Sequence, residues 1–170
     1  MACRPVTRIL LPSAFAAALL AAGCSDEECT GYRTTLPTAQ FFLPGGERVA
    51  LDSASVYGIG APGDSLLADG ERNLDEIYLP FNLDADESRF VVRDDRGGIA
   101  DTITFRYTKD PWFESASCGV VYIYNVESVS HTSHMIDSVV CKDMRIDNMP
   151  GAPISVYFRP GQHSADSQQQ

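Results

Sequence analysis

Short segments in which apolar and polar residues alternate recur along most of the chain, and they constrain its fold more than any other feature. Alternation with a period of two places the apolar side chains on one face of a β-strand, whereas a helix requires a period of 3.6 residues. No window of a dozen residues has a convincing helical period. The predicted strands are Ala39–Leu43, Val49–Tyr57, Glu76–Phe81, Arg89–Arg93, Asp101–Thr108, Gly119–Val126, Met135–Cys141 and Ile154–Phe158.

Glycine and proline residues separate these segments and predict turns between them, because proline fixes φ and glycine allows positive φ. The predicted turns include Pro44–Gly46, Gly58–Gly63, Asp94–Gly98 and Lys109–Pro111. The spacing of Ile103, Phe105 and Tyr107 puts these three side chains on one face. About eight short antiparallel strands around a common core indicate an all-β, two-sheet sandwich, immunoglobulin-like in the broad sense.

The first 23 residues have the organisation of a secretory signal peptide. Arg4 and Arg8 precede an apolar run, Ile9–Ala22, which is followed by small residues. Fourteen residues of helix extend about 21 Å, which is shorter than a hydrocarbon core of about 30 Å. The sequence therefore predicts cleavage of residues 1–23 rather than a retained membrane anchor.

Leu20–Cys24 resembles a bacterial lipobox, in which small residues precede an obligatory cysteine. Ala21 occupies a position where the pattern prefers leucine. The resemblance implies that Cys24 is acylated and becomes the first residue of the mature protein, with the membrane as its covalent partner. Three acyl chains would make the anchor effectively permanent. The alternative is an ordinary signal peptide with Cys24 in a disulfide.

Ser25–Glu28 carries three consecutive acidic residues, whose mutual repulsion favours a solvated leader over residues 24–34. The leader also resembles the acidic surface-export signal of lipoproteins from a group of Gram-negative gut bacteria. This resemblance favours the outer membrane, and its outer surface over its periplasmic face. We expect one domain over residues 35–159, and a disordered polar tail over residues 160–170.

The charge balance excludes two kinds of partner. The chain has 13 basic and 23 acidic residues, so its formal net charge is −10. Loss of Arg4 and Arg8 with the signal peptide would make the net charge of the mature protein −12. Such a protein has no basic stripe for nucleic acid, and it would not dock electrostatically on anionic lipid.

Several short motifs occur in the same order as in a known family of proteins. After the lipobox and Cys29-Thr30, the chain contains Val56–Gly60, Asp64–Leu67, Leu79–Asn82, Asp101–Tyr107 and Ser117–Gly119. Together they resemble a domain-of-unknown-function family of small lipoproteins from Gram-negative gut bacteria, over most of residues 24–158. The resemblance implies a lipid anchor and a small β domain. It brings no assigned activity and no catalytic residues.

Three cysteines remain after Cys3 is removed with the signal peptide and Cys24 is acylated. Export favours a disulfide, and an odd number of cysteines leaves one of Cys29, Cys118 and Cys141 unpaired. Loop-closure entropy separates the Cys29–Cys118 and Cys118–Cys141 pairings by only about 1 kcal/mol, which does not decide between them. The family resemblance favours Cys29–Cys118, because these two cysteines match its pattern.

Three motifs point weakly to chemistry. Gly58–Gly63 matches a dinucleotide-binding pattern, but no βαβ unit accompanies it. His131 and His134, with Asp137 nearby, are too few ligands for a zinc site. Asn82–Ser88 begins like a calcium loop but has Glu87 at the position that requires glycine. We therefore expect no bound metal, no cofactor and no catalytic residues.

Two hypotheses about function follow. The first is a lipid-anchored, non-enzymatic binding or structural module of the cell envelope, whose partner is an envelope protein or a glycan. The alternative is a surface hydrolase or a carbohydrate-processing accessory protein. Under the alternative, aromatic side chains would form a sugar-stacking face; the candidates are Trp112, Phe113, Tyr122 and Tyr124. Converging carboxylates and aromatics in a pocket would favour the alternative, and one exposed apolar patch would favour the first hypothesis.

Overall fold

The computed structural model describes residues 35–60, 64–149 and 151–160. Ten strands make up the fold. They are β1 (Thr38–Phe42), β2 (Ala54–Ile59), β3 (Leu66–Glu71), β4 (Glu76–Tyr78), β5 (Glu87–Asp94), β6 (Ile99–Ser115), β7 (Gly119–His131), β8 (Ile136–Cys141), β9 (Arg145–Ile146) and β10 (Ile154–Phe158). Within these ranges, no helix is both long and apolar enough to cross a bilayer. The predicted signal peptide, leader and tail lie outside the described residues, apart from Pro160, the first residue of the tail.

The strands form two sheets, and the predicted all-β sandwich is confirmed. One sheet has the order β4-β1-β10-β8, and the other has the order β3-β2-β5-β6-β7-β9. The structure refines the prediction in two respects. The described residues contain ten strands rather than about eight, and β1 pairs with β10 in parallel, whereas the other pairs are antiparallel.

The core forms where the period-two pattern predicts it. Along β6, Ile103, Phe105 and Tyr107 are all buried on one face, as expected from their spacing. In the facing sheet, β10 contributes Ile154, Val156 and Phe158 to the same apolar cluster. These two strands therefore face the core with every second side chain, which explains the alternation in their sequences.

Phe81, in the connection between β4 and β5, lies at the centre of an aromatic cluster. The centroid of its ring lies 4.6 Å from that of Tyr107 and 5.0 Å from that of Phe105. The rings of Phe90 and Tyr124 complete the set, at 6.3 and 5.1 Å. These rings come from three neighbouring strands of the six-stranded sheet, so the cluster holds β5, β6 and β7 to the β4–β5 connection.

Two strands have no clear pattern in the sequence, and neither is among the predicted strands. β3 is an edge strand in which only Ala68 is buried, so its apolar residues do not alternate. β9 has two residues, which pair with Tyr124 and Asn125 of β7. Both strands form because the neighbouring strand has backbone groups left to pair. The alternation of apolar residues gives no signal for such pairing.

Candidate functional site

β6 and β7 form a hairpin that extends well beyond the rest of the six-stranded sheet. Pairing between β5 and β6 reaches Arg106, and pairing between β7 and β9 involves only Tyr124 and Asn125. The two long strands continue to pair as far as Ser115 and Gly119. We call residues 110–123 the arm. At about 3.3 Å per residue, the arm projects about 20 Å from the strands that flank its base.

The arm corrects the turn predicted at Lys109–Pro111. Pro111 instead lies within β6, opposite Tyr122 of β7. Proline has no backbone N–H and is tolerated in a strand only where that donor is not needed. Beyond Arg106 the described strands include no further neighbour on the β5 side of β6, so one edge of the arm is open there. The proline therefore marks a loss of pairing on one side of the strand, and the strand itself continues.

One face of the arm is an exposed apolar surface. Pro111 lies opposite Tyr122, and Phe113 lies opposite Val120, so the four side chains share a face. Phe113 is 65% exposed, Val120 is 55% exposed and Tyr122 is 36% exposed. The same face continues towards the base of the arm as Tyr124 and Val126, which are buried in the core. The face of the hairpin that packs in the core therefore continues beyond the end of the four-stranded sheet, which covers it only near the base of the arm.

The opposite face of the arm is mixed in character, because the exposed Asp110 lies on it, opposite Ile123. Trp112 pairs with Val121 there and is 56% exposed, whereas Val121 and Ile123 are buried. The structure therefore separates the aromatic candidates for a sugar-stacking face. Phe113 and Tyr122 lie on one face of the arm, Trp112 lies on the other, and Tyr124 packs inside the core.

A closed ring of hydrogen bonds holds the base of the arm. The Tyr107 hydroxyl donates to the Asn82 carbonyl at 2.8 Å, which leaves the Ser88 hydroxyl to donate to Tyr107 at 2.7 Å. The backbone N–H of Asn82 donates to Ser88 Oγ at 2.8 Å. Burial raises the pKa of Tyr107, against the opposing effect of these hydrogen bonds. Tyr107 therefore remains a neutral donor at physiological pH.

The segment Asn82–Ser88, which begins like a calcium loop, makes structural contacts with β6. Ser88 is buried in the ring just described, and Asp86 makes an ion pair of 3.0 Å with Lys109. The Lys109 ammonium also donates to the carbonyls of Leu83 and Ala85, at 3.1 and 2.6 Å. The segment is a polar bend that clasps β6 just before the arm.

The other end of the domain is held by Asp101, a buried carboxylate at the start of the core pattern of β6. Its Oδ2 accepts hydrogen bonds from the backbone N–H groups of Met135 and Ile136, at 2.6 and 2.8 Å. Its Oδ1 accepts from the Thr132 hydroxyl at 2.5 Å, and from the backbone and ring of His134, both at 2.9 Å. Asp101 thus fastens the β7–β8 connection to β6.

The electrostatics of Asp101 follow from this cage. Burial alone would raise the pKa of its carboxyl group. The hydrogen bonds from Thr132 and from the backbone of His134, Ile136 and Met135 outweigh burial and hold the pKa well below its ordinary value. The sequence places Asp101 in a strand but indicates no role for it. A buried acid at an inward-facing position of an apolar pattern is the signal that would identify it.

The two histidines do not form a metal site with their neighbours. His131 Nδ1 donates to the Thr132 carbonyl at 2.7 Å, while His134 bonds to Asp101. Across the residues that the structure describes, no group of three or more histidine, cysteine or acidic side chains could hold a metal ion.

A shallow groove of about 240 Å³ lies near the glycine-rich segment. Its lining includes Gly58, Asp84, Glu87 and Phe90. Glu87 is engaged in ion pairs with Arg106 at 3.1 Å and with Arg89 at 3.7 Å. Strand β3 follows the glycine-rich segment, where a dinucleotide site requires a helix.

The cysteines are only partly within the described residues. Cys24 and Cys29 lie outside them, so neither acylation nor the predicted Cys29–Cys118 pairing is tested by the structure. Cys118 is half-buried at the tip of the arm, where its backbone N–H donates to Ser115 Oγ at 3.0 Å. Cys141 is a free thiol, and burial raises its pKa to about 11. The Cys118–Cys141 alternative is therefore not the pairing in this structure.

Comparison with known proteins gives one family. Neither the curated proteins nor the solved structures include a match to this chain. Residues 53–158 match DUF6452, a family of unknown function, and these residues cover strands β2 to β10, including the arm and Asp101. Because the match spans more than half of its sequence, the chain belongs to the DUF6452 family.

Proposed function

We propose that this protein is a lipid-anchored, non-enzymatic contact module of the cell envelope. In this proposal, acylated Cys24 holds the domain on the outer membrane, and the arm is the surface through which it makes contact. The observation that carries the proposal is the exposed apolar surface of the arm. Contiguous apolar surface on a folded domain marks a site of protein or membrane interaction.

The arm is better explained as a contact surface than as part of the core. Its pairing continues to Ser115, far past Arg106, where the pairing of β6 with β5 ends. Strand pairing alone would permit polar side chains at the exposed positions. Phe113 and Val120 are instead apolar and lie opposite each other near the end of the arm, where the described part of the opposite sheet leaves both exposed.

The acyl anchor is supported by the lipobox resemblance of Leu20–Cys24. The Thr35 hydroxyl donates to the backbone carbonyl of Tyr122 at 2.5 Å. The chain that would come from the membrane therefore joins the domain at the arm, and not at the opposite end near Asp101.

The arrangement of the acidic groups favours a non-enzymatic role over the alternative of a hydrolase or carbohydrate-processing protein. Asp101 is caged by hydrogen bonds and Glu87 is paired with two arginines, which leaves Asp84 as the acid of the groove lining that makes no ion pair among the described residues. The groove beside Glu87 has a single aromatic side chain in its lining, that of Phe90. Sugar cleavage uses a pair of carboxylates that flank the bond, whereas Asp84 is the one unpaired acid among the described residues of this groove.

Hydroxyl-radical footprinting of the protein in intact envelopes tests the proposal. Trp112 and Phe113 are exposed on the arm, and His134 is exposed near the opposite end of the hairpin, so His134 serves as an internal control. We expect oxidation of Trp112 and Phe113 to be several-fold slower in the anchored protein than in Cys24→Ser protein produced without residues 1–23, with His134 unchanged. Equal oxidation of the arm in both proteins would refute a contact there.

We also propose that Cys29 pairs with Cys118, which would tie the leader to the tip of the arm. The free, half-buried Cys141 thiol supports this choice, because it leaves Cys29 as the other mature cysteine outside the acylation site. Peptide mapping without reductant should yield a Cys29–Cys118 cross-linked peptide and an alkylated Cys141, with acyl mass on Cys24. Recovery of a Cys118–Cys141 peptide would contradict the pairing.

A further inference from the structure

We propose that the arm inserts its apolar tip into the interfacial region of the same membrane that holds the acyl chains. This inference rests on the proposed lipid anchor and names the partner of the arm as a lipid surface. Three independent features carry it: the length and attachment point of the leader, the kinds of residue on the arm, and the distribution of charge along the domain.

The leader is short, and it ends on the arm. Eleven residue steps separate Cys24 from Thr35, so they span at most about 40 Å when fully extended. Thr35 is bonded to the backbone of Tyr122. An acylated Cys24 therefore keeps the arm within about 40 Å of the bilayer, a distance similar to the thickness of the bilayer itself. At this range an apolar tip meets the membrane repeatedly, at the high effective concentration that a short tether provides.

The residues on the arm suit the boundary between lipid and water. Trp112 and Tyr122 have amphipathic rings, which are the side chains most enriched at membrane interfaces. Phe113 and Val120 add purely apolar surface near the tip. The strands remain paired to Ser115 and Gly119, so about half of the backbone groups of the arm are bonded within the hairpin, and those on its outer edges need polar partners. The hairpin can therefore enter the hydrated interfacial region, where water and headgroups supply those partners, but not the hydrocarbon core.

The charges of the domain favour the same orientation. Asp94 at the end of β5, and Asp95 and Arg96 in the turn that follows, lie at the end of β6 opposite the arm. Arg96 makes an ion pair with Asp52, and Arg93 pairs with Asp95 at 2.7 Å. That end carries both acidic and basic groups, whereas the arm carries two charged residues, Asp110 at its base and Glu114. Because the protein as a whole is acidic, insertion must depend on apolar contact and should tolerate high salt.

The single tryptophan of the chain makes the inference directly measurable. The full acylated protein is reconstituted in phosphatidylcholine vesicles that contain lipids brominated at known depths along the acyl chain. We expect Trp112 emission to shift to shorter wavelength and to fall about twofold with shallow bromines, and less with deep ones, as for an interfacial tryptophan. The quenching should persist in salt at about three times the physiological concentration.

A matched reporter keeps the result specific to the arm. In the variant Trp112→Phe with Leu66→Trp, the tryptophan moves to an exposed position on β3. Leu66 lies opposite Tyr57 of β2, and the register across β5 places Tyr57 level with Thr102 of β6. Thr102 precedes Trp112 by ten residues of the same strand, so the two tryptophan positions are about 33 Å apart along the sheet. This reporter should not be quenched. In a third variant, Phe113 and Val120 are replaced by serine and Trp112 is retained. We expect the quenching of Trp112 to fall severalfold in this variant.

The outcomes separate this inference from the function on which it rests. If the protein carries acyl mass on Cys24 and floats with the vesicles but Trp112 is not quenched, the arm does not insert. The contact proposed above would then be with an envelope protein, and shielding in intact envelopes would still be seen. Equal quenching of the β3 reporter would also overturn the inference. Absence of acyl mass on Cys24 would overturn both the anchor and the insertion.

Discussion

Replacing Asp101 by alanine is expected to lower the free energy of unfolding by about 4 kcal/mol, because it leaves several buried donors without an acceptor. The carboxylate accepts from the backbone N–H groups of His134, Met135 and Ile136, and from the Thr132 hydroxyl. Met135 and Ile136 are fully buried, so water does not replace the lost acceptor. Urea unfolding of the two proteins at pH 7 gives the difference.

Two further variants separate the charge of Asp101 from its contact with the exposed histidine ring. Asp101→Asn keeps the shape but turns a donor towards the N–H groups of Met135 and Ile136, so we expect a loss of about 2 kcal/mol. His134→Ala removes only a solvent-exposed partner and should cost less than about 1 kcal/mol. If the alanine variant at position 101 lost no more than His134→Ala, the cage would not stabilise the fold.

The same carboxylate predicts how stability depends on pH. The pKa of Asp101 is lower in the folded state than its ordinary value of 3.8, so folding favours the ionised form. Its contribution is therefore complete above about pH 5 and is lost as the pH falls below about 4. Asp101→Asn should lack this component, and its unfolding free energy should fall less steeply between about pH 5 and about pH 3.

Replacing Phe81 by alanine is expected to cost about 4 kcal/mol, the usual range for removing a buried phenylalanine. Its ring packs against Phe90, Phe105, Tyr107 and Tyr124, so truncation opens a cavity among four aromatic rings. Phe81→Leu fills part of that space and should lose about half as much. Chemical denaturation measures both variants. Equal losses from the two variants would contradict the dependence on cavity size.

Phe81 also connects stability to the arm. Tyr107 stacks on Phe81 at 4.6 Å, and its hydroxyl closes the hydrogen-bonded ring at the base of the arm. The base is thus firmly packed and hydrogen-bonded, although the tip is exposed. Such a base would preorganise the arm for the contact that we propose, and so reduce the conformational entropy lost on binding.

The extent of prediction differs from one element to another. The predicted strand Ile154–Phe158 has the bounds observed for β10, because five consecutive residues supply a compact apolar strand. The prediction for β6 is Asp101–Thr108, whereas the strand runs from Ile99 to Ser115, because Pro111 signals a turn in the sequence but lies within the strand. The sequence offers Trp112, Phe113, Tyr122 and Tyr124 as candidates for a sugar-stacking face. Their division between two faces requires the register with β7.

The sequence by itself determined that the domain is all-β and that Ile103, Phe105 and Tyr107 share one face, because period-two alternation is a local property of the strand. Only the tertiary structure decided that β1 pairs in parallel with β10 and that the β6–β7 hairpin extends beyond the neighbouring strands. It also decided that backbone groups of the β7–β8 connection enclose Asp101. These features depend on which distant segments meet. Backbone pairing and the burial of a carboxylate are satisfied by whichever partners the fold brings together, and a local pattern does not specify them.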